Sequence, residues 1–169
     1  EFLGPRGGRG RRWQVAAYHI WRLEESALIR PGVLPLDLLG GSVIGGATPI
    51  ARHGVELEGG ISLDGFGLRA EAEYIGSARV DGGAAGASDL AFGDVLLLDL
   101  RAFVDFDRRP RLIAALPLLR GARLSLRIDN LLGDIRRVTD AAGNVPLSFQ
   151  PALLDPRGRF VELSLRKRF

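Results

Sequence analysis

The side chains best suited to acid-base chemistry are two pairs of glutamates. Glu56 and Glu58 are separated by one residue, as are Glu71 and Glu73. Two facing carboxylates can act as general acid and as general base or nucleophile, as they do in glycoside hydrolysis. An all-β hydrolase is therefore one hypothesis. Pairs at this spacing are also the ordinary product of a strand with one charged face, and on that interpretation we expect no catalytic residue.

Other reactive residue types are scarce. The sequence contains two histidines and no cysteine. Zinc sites in proteins use three or four ligands, so His19 and His53 alone do not predict a metal site. Neither Ser125 nor Ser164 is matched by a histidine that would activate it as a nucleophile. We therefore expect no enzymatic activity, no metal and no cofactor.

The charge pattern bears on nucleic-acid binding. The 23 basic and 20 acidic residues give a net charge of +3, and both signs alternate along the same segments. A nucleic-acid binder would instead present a one-sided basic face. Residues 4–12 (GPRGGRGRR) resemble a basic Arg-Gly segment that can bind nucleic acid electrostatically, but a Gly-rich loop leading into a strand is the favoured interpretation. We expect no nucleic-acid partner.

Alternation of polar and apolar residues predicts the elements that position the charged side chains. In residues 53–63, Val55 and Leu57 point one way while Glu56 and Glu58 point the other, and Asp64-Gly65 is a tight-turn signal. The same reasoning predicts an all-β chain of about seven antiparallel strands, long at about ten residues. They lie at residues 12–23, 27–30, 53–63, 68–74, 96–106, 123–129 and 159–169.

The connections between these strands differ in length. Long ones follow strands two, four and six, and short ones follow strands one and three. The connector at residues 107–121 contains Pro110, Pro117 and an apolar centre that favours a short helical turn. Alternation of short turns and long loops is typical of an up-and-down membrane barrel.

The apolar faces of the strands can meet either protein or lipid. In a soluble sandwich or small barrel they pack together and the charged faces meet water, whereas in a transmembrane barrel they meet lipid and the charged faces line the lumen. No run approaches the ~18 apolar residues of a spanning helix. Three features favour lipid: strand length, aromatics near strand ends, and dense charge of both signs on the other face. That face would put Arg beside Asp or Glu on neighbouring strands. The predicted lumen-facing residues are Glu56, Glu58, Arg69, Glu71, Glu73, Asp99, Arg101, Arg123, Arg127, Asp129, Glu162 and Arg166.

Three segments carry a family resemblance. Residues 123–134 (RLSLRIDNLLGD) resemble the penultimate strand of TonB-dependent outer-membrane receptors running into its Asn-Leu-Phe-Asp turn. Val138-Thr-Asp140 and residues 158–169 (GRFVELSLRKRF) are similar to the segment after that turn and to the last strand in the same family. Two positions depart from the pattern, since Leu132 replaces the usual Phe and Lys167 stands where an apolar residue is commoner.

The resemblance implies that residues 1–169 are the C-terminal part of an outer-membrane β-barrel of about 22 strands, without its N-terminal plug domain. It implies the parent's function, which is energised uptake of a ferric siderophore or another large nutrient. The segment alone would not transport. The implied partners are outer-membrane lipid, the rest of the barrel and plug, the TonB complex through the N-terminal part, and the barrel assembly machinery. The alternative left open is a soluble all-β binding module.

The resemblance also implies two kinds of site residue. Phe169, at the end of the amphipathic strand 159–169, would be the family's C-terminal assembly signal at the periplasmic interface. Ligand contacts would lie in the long outer loops. The loop at residues 130–158 offers Arg136, Arg137, Phe149 and Gln150 for an anionic or aromatic ligand.

Overall fold

The structure is a computed structural model that describes residues 2–3, 12–46, 48–82, 88–155 and 158–168. Its described part is all-β with antiparallel sheets, which confirms the predicted fold class at that level. The strands are β1 (Phe2–Leu3), β2 (Arg12–Trp21), β3 (Ser26–Ala27), β4 (Leu36–Asp37), β5 (His53–Leu63), β6 (Phe66–Ile75), β7 (Ala78–Val80), β8 (Leu90–Phe92), β9 (Val95–Asp105), β10 (Ala122–Asp129), β11 (Val138–Asp140) and β12 (Phe160–Lys167).

The helices are short and lie in the connections. Among the described residues, two helices are α-helical, α1 (Pro110–Ala115) and α2 (Pro151–Leu154), and three single turns are 3₁₀-helical, at Phe106–Arg108, Pro117–Leu119 and Leu147–Phe149. The helical turn predicted for residues 107–121 is thus confirmed. No helix within the described ranges has the length and apolar character needed to cross a membrane.

One sheet of seven strands dominates the fold, in the order β1-β2-β5-β6-β9-β10-β12. From β2 onwards each long strand pairs antiparallel with the next long strand of the chain. Within the described residues β1 and β12 form the two ends of the sheet, and the sheet does not close on itself. The six long strands have 8 to 11 residues each.

The register gives the sheet two unlike faces. Residues directly opposite each other on neighbouring strands share a face, and the pairs Leu57↔Ala72 and Leu124↔Leu165 belong to the same side. Apolar residues of all six long strands fall on that side, which we call the apolar face. Its exposed large residues are Trp13, Val15, Trp21, Leu57, Ile61, Leu96, Val161, Leu163 and Leu165.

The core does not lie between two layers. Most of the buried apolar residues described gather where the long connections meet the sheet, at Ala51, Phe92, Val95 and Val138. Val138 is 1% exposed, whereas Leu163 and Leu165 in the middle of β12 are 68% and 66% exposed. No described element of the chain therefore covers the apolar face.

The connections are distributed unequally between the two ends of the sheet. Residues 22–52, 76–94 and 130–159 join strands at one end, which we call the long-loop end. The turn Asp64–Gly65 and the connector at residues 106–121 lie at the opposite, short-turn end. Successive strands run in opposite directions, so successive connections lie at opposite ends of the sheet. The predicted alternation of long and short connections therefore places the long ones together at one end.

Two details of the strand prediction were wrong. Residues 27–30 do not add a strand to the large sheet, because β3 ends at Ala27 and pairs only with β4. The seventh strand of the large sheet is instead β1, which pairs with Val15 and Gln14 of β2. The second difference is a three-stranded sheet, β11-β8-β7, inside the segments predicted as loops. We call it the loop sheet.

The tight turn at Gly65 generates a stability prediction. Gly65 has φ +84°, and a Cβ there would lie 2.6 Å from Cβ of Arg108 and 2.9 Å from the carbonyl oxygen of Asp105. Gly143 has nearly the same φ, +83°, with nothing within 4 Å. Both alanine variants adopt a left-handed backbone that costs about 1–2 kcal/mol. We expect Gly65→Ala to lose a further ~1–3 kcal/mol from steric overlap.

The measurement is the free energy of unfolding of both variants by urea titration. Because the backbone strain is matched, the difference between them isolates the packing of the connector on the turn. Equal losses for Gly65→Ala and Gly143→Ala would contradict this packing.

Candidate functional site

The face opposite the apolar face carries most of the charges. The strand register separates acidic from basic side chains along the strand direction, between the long-loop end and the short-turn end. Glu56 lies opposite Glu73, and Glu71 lies opposite both Glu58 and Asp99. One step towards the short-turn end, Arg101 lies opposite both Arg69 and Arg127. We call the first group the carboxylate band, which comprises Glu56, Glu58, Glu71, Glu73, Asp99 and Asp129. The second group, the arginine band, comprises Arg69, Arg101 and Arg127.

All twelve predicted lumen-facing residues lie on this charged face. The register places Arg123 opposite Arg166 and Arg127 opposite Glu162, which joins the last two strands to the same surface. Which face a strand residue occupies depends only on the alternation of side chains along the strand, and this alternation can be read from the sequence.

The expectation that Arg would stand beside Asp or Glu on neighbouring strands is confirmed for the diagonal neighbours Arg69 and Glu58, and Arg101 and Glu71, but it is mostly wrong for residues directly opposite each other. Opposite charges face each other at Arg127↔Glu162 and Asp105↔Arg123, but in the two bands like faces like. The two-residue turn at Asp64–Gly65 fixes the register of the first hairpin, and a one-residue slip would turn its apolar side chains to the charged face. Like-charge neighbours cost a fraction of a kcal/mol each, less than about 1.5–3 kcal/mol per misplaced large apolar side chain.

Ion pairs along a strand and diagonally between strands offset this repulsion. Nη2 of Arg69 lies 2.9 Å from Oε2 of Glu58 and 2.9 Å from Oε1 of Glu71. The other oxygen of Glu71 lies 4.0 Å from Nη2 of Arg101, and Nε of Arg127 donates to Oδ1 of Asp129 at 2.8 Å. Each arginine therefore contacts the carboxylate band one step away, and Glu71 contacts two arginines.

The carboxylate band borders a cavity of about 490 Å³ at the long-loop end. Asp155 and Gly158 of the last long connection complete its wall together with Phe160. Six carboxylates and one guanidinium line it, so its potential attracts cations and hydrogen-bond donors. Within the described ranges, no group of three or more His, Asp or Glu side chains has the geometry to hold a metal ion.

At the short-turn end of the charged face, Phe103 contacts residues of the neighbouring strands. Its ring lies so close over Gly67 that any Cβ at that position would overlap it. The guanidinium of Arg123 stacks on the same ring at 3.8 Å from the centroid. A second cavity of about 530 Å³ opens beside Phe103 and reaches Gly60 and Arg12. Sequence reasoning placed Gly60 in the strand at residues 53–63 but did not predict this aromatic contact at Gly67.

Asn130 connects the end of β10 to its neighbours. It is buried and has φ +51°, a conformation that asparagine tolerates better than most residues. Its backbone N–H donates to Oδ1 of Asp99 at 2.9 Å, and its side-chain amide exchanges two hydrogen bonds with the backbone of Asp134. Asp134 in turn accepts from the N–H of Leu96 at 2.8 Å. The Asn-Leu-Leu-Gly-Asp segment is therefore a closed turn that fastens β10 to β9.

Arg136 holds two long connections together. Its Nε donates to the carbonyl oxygen of Gly93 at 2.8 Å, and its Nη2 donates to that of Gly76 at 3.0 Å. The guanidinium also lies over the ring of Phe92, 5.4 Å from the centroid. Burial lowers the pKa of Arg136 from its ordinary value, but a guanidinium remains charged at any accessible pH.

The four predicted ligand contacts divide into two pairs. Arg136 and Phe149 meet at Phe92, whose ring packs edge-on against that of Phe149 at 5.5 Å. Arg137 and Gln150 have exposed side chains and are not brought to this cluster. Sequence reasoning did not single out Phe92. The feature that could have identified it is the short apolar run Leu90-Ala-Phe92 within a Gly/Ala-rich segment. Phe169, the predicted assembly signal, lies outside the described residues, as does the basic segment at 4–11.

The loop at residues 22–52 joins the same assembly. Nε and Nη2 of Arg79 donate to the carbonyl oxygen of Gly40 at 3.1 and 3.0 Å, and the N–H of Asp81 donates to that of Gly41 at 2.9 Å. All three long connections are therefore linked by hydrogen bonds around the loop sheet. These hydrogen bonds hold the three connections in a set position relative to one another.

Comparison of the chain with protein-family models, with curated proteins and with solved structures finds no match.

Arg136 generates a prediction about loop coupling. Arg136→Ala removes two charge-assisted hydrogen bonds, and we expect it to lower the free energy of unfolding by about 2 kcal/mol. It should also speed amide exchange at Gly93 and in the loop sheet, because that sheet loses its fastening to residues 76–94. Hydrogen-exchange mass spectrometry measures this.

The neighbouring Arg137→Ala is the matched control. The side chain of Arg137 is exposed, and the hydrogen bond from the N–H of Gly93 goes to the backbone carbonyl oxygen of Arg137, which the substitution retains. We expect it to leave exchange in the loop sheet unchanged. If both variants exchange alike, Arg136 does not hold the two connections together.

Proposed function

We propose that this chain is a lipid-embedded segment of an outer-membrane β-barrel receptor of the TonB-dependent class. The observation that carries the proposal is the large two-faced sheet. Its apolar face carries exposed large residues on β2, β5, β9 and β12 and half-buried ones on β6 and β10, while its opposite face is charged. The receptor class itself rests on the resemblance of residues 123–140 and 158–169.

The apolar face requires a non-aqueous partner. Monomeric soluble proteins rarely expose contiguous apolar patches beyond a few hundred Å². Here the exposed residues run from Trp13 and Val15 on β2 through Leu57 on β5 to Leu163 and Leu165 on β12. Lipid acyl chains would cover such a surface without a second protein layer. Between its two end strands, β1 and β12, the backbone is hydrogen-bonded within the sheet, as a bilayer demands.

The dimensions of the sheet agree with this role. Strands of 8 to 11 residues match the ~9–11 residues with which a tilted strand crosses the hydrocarbon core. Three long connections at one end and shorter ones at the other match the outer and periplasmic sides of such barrels. Leu163 and Leu165 then face lipid, and β12 runs towards the periplasmic side.

In this arrangement the charged face is part of the lumen wall. The carboxylate band lies towards the outer loops and the arginine band lies below it. The cavity lined by Asp155, Gly158 and Phe160, and the fastened loops above it, are where this segment would contact a ligand. The ligand implied by the resemblance is a ferric siderophore or another large nutrient, and its uptake would require the plug, the remaining strands and the TonB complex.

The decisive comparison is between Leu163 and its neighbour Ser164. The chain contains no cysteine, so Leu163→Cys and Ser164→Cys each provide a single thiol for an environment-sensitive fluorophore. With the chain inserted in vesicles that contain acyl-chain spin-labelled lipid, we expect quenching at position 163. At position 164 we expect quenching by a water-soluble agent instead, because adjacent strand residues point to opposite faces.

The alternative, a soluble all-β binding module, predicts a different outcome. Such a module would remain monomeric in buffer without lipid or detergent, and neither position would respond to spin-labelled lipid. That result would overturn the proposal.

A further inference from the structure

We propose that residues 106–121, which we call the basic connector, bind the surface of an anionic phospholipid leaflet. The inference rests on the proposed function, because it places the short-turn end of the sheet at a membrane interface. It goes beyond that function, since a barrel needs only a tight turn at this point.

The basic connector is fixed to the sheet at both ends. Oδ1 of Asp107 accepts from the N–H of Gly121 at 2.7 Å, which joins the first and last parts of the connector. Arg108 packs against Gly65 of the neighbouring tight turn, and the N–H of Asp105 donates to the carbonyl oxygen of Gly65 at 2.7 Å. The helical turns between these anchors therefore have a set position beside the strand ends.

Large apolar side chains of the connector point away from the protein. Leu112 and Leu116 are exposed, and Leu118 is 76% exposed, while Ile113 and Leu119 are half-buried. Half-buried residues account for the packing of the connector on the sheet. The exposed leucines are left without a described partner in the chain, at the end of a sheet whose adjoining face is apolar.

The charge of the connector specifies the chemistry of its partner. Arg108, Arg109, Arg111 and Arg120 fall within thirteen residues, and residues 108–120 include no Asp or Glu. The carboxylates nearest in the sequence, Asp105 and Asp107, each accept a backbone N–H. Exposed leucines combined with uncompensated arginines are typical of segments that lie in the interface of an anionic membrane.

An acidic protein surface would match the charges but not the position. The connector adjoins the ends of β9 and β10, whose apolar face meets lipid in the proposed function. The surface of the leaflet is continuous with that lipid. One leaflet can therefore contact the leucines with its acyl region and the arginines with its anionic headgroups.

The test uses the full chain with one fluorophore, attached through Leu118→Cys or through Leu147→Cys. Leu147 is also 76% exposed but lies in the 130–159 connection at the opposite end. In vesicles of equal parts phosphatidylcholine and phosphatidylglycerol, we expect a blue shift and lipid quenching at 118 and neither at 147. In phosphatidylcholine alone, we expect the signal at 118 to fall at least about threefold.

The double variant R111E/R120E should remove the response at 118 in anionic vesicles. The fluorophore at position 163 is read in parallel for every sample. If position 163 is shielded by lipid while 118 stays in water, the connector inference is wrong and the proposed function stands. If 163 is not shielded, the proposed function fails and the inference fails with it. Equal responses at 118 in both lipid compositions would also overturn the anionic specificity.

Discussion

The register of the large sheet is the constraint on which the other features depend. Side chains alternate strictly along a strand, so a slip of one residue on any strand would exchange its apolar and charged faces. The two-residue turn at Asp64–Gly65 sets the register of one hairpin, and the hydrogen bonds of Asn130 and Asp134 hold β10 against β9. The result is one apolar surface, whose charged residue in the six long strands is Lys167 at the end of β12, and one surface that carries the other charges of these strands.

The charged face shows what this constraint costs. Arg101 faces two arginines across the sheet and Glu71 faces two carboxylates, an arrangement that the charges alone would disfavour. The contacts from Arg69 to Glu58 and Glu71, and from Arg101 to Glu71, reduce the cost and link three strands. Separation of the bands also leaves a carboxylate-lined cavity beneath the long connections. The electrostatic pattern is thus a consequence of backbone pairing, and it determines what this face can bind.

Prediction from sequence succeeded where the signal is local. Alternation located β5, β6, β9, β10 and β12, and the charged face was assigned correctly for all twelve residues. It failed at residues 27–30, where an extended pattern exists but the large sheet offers no partner strand. The loop sheet was missed because its strands have three residues each and pair across long sequence separations. Arg136 was predicted as a ligand contact from its charge and position. Its bonds to Gly76 and Gly93 lie 60 and 43 residues away, so no local pattern reveals them.

The central claim is that acyl chains cover the apolar face, and methyl NMR of the chain in lipid nanodiscs measures this directly. Our account predicts nuclear Overhauser contacts between acyl-chain protons and the methyl groups of Val15, Leu57, Leu163 and Leu165. It predicts no such contacts for Val138, which is buried by protein. Water contacts at the four apolar-face residues, or acyl-chain contacts spread equally over both faces, would contradict the account.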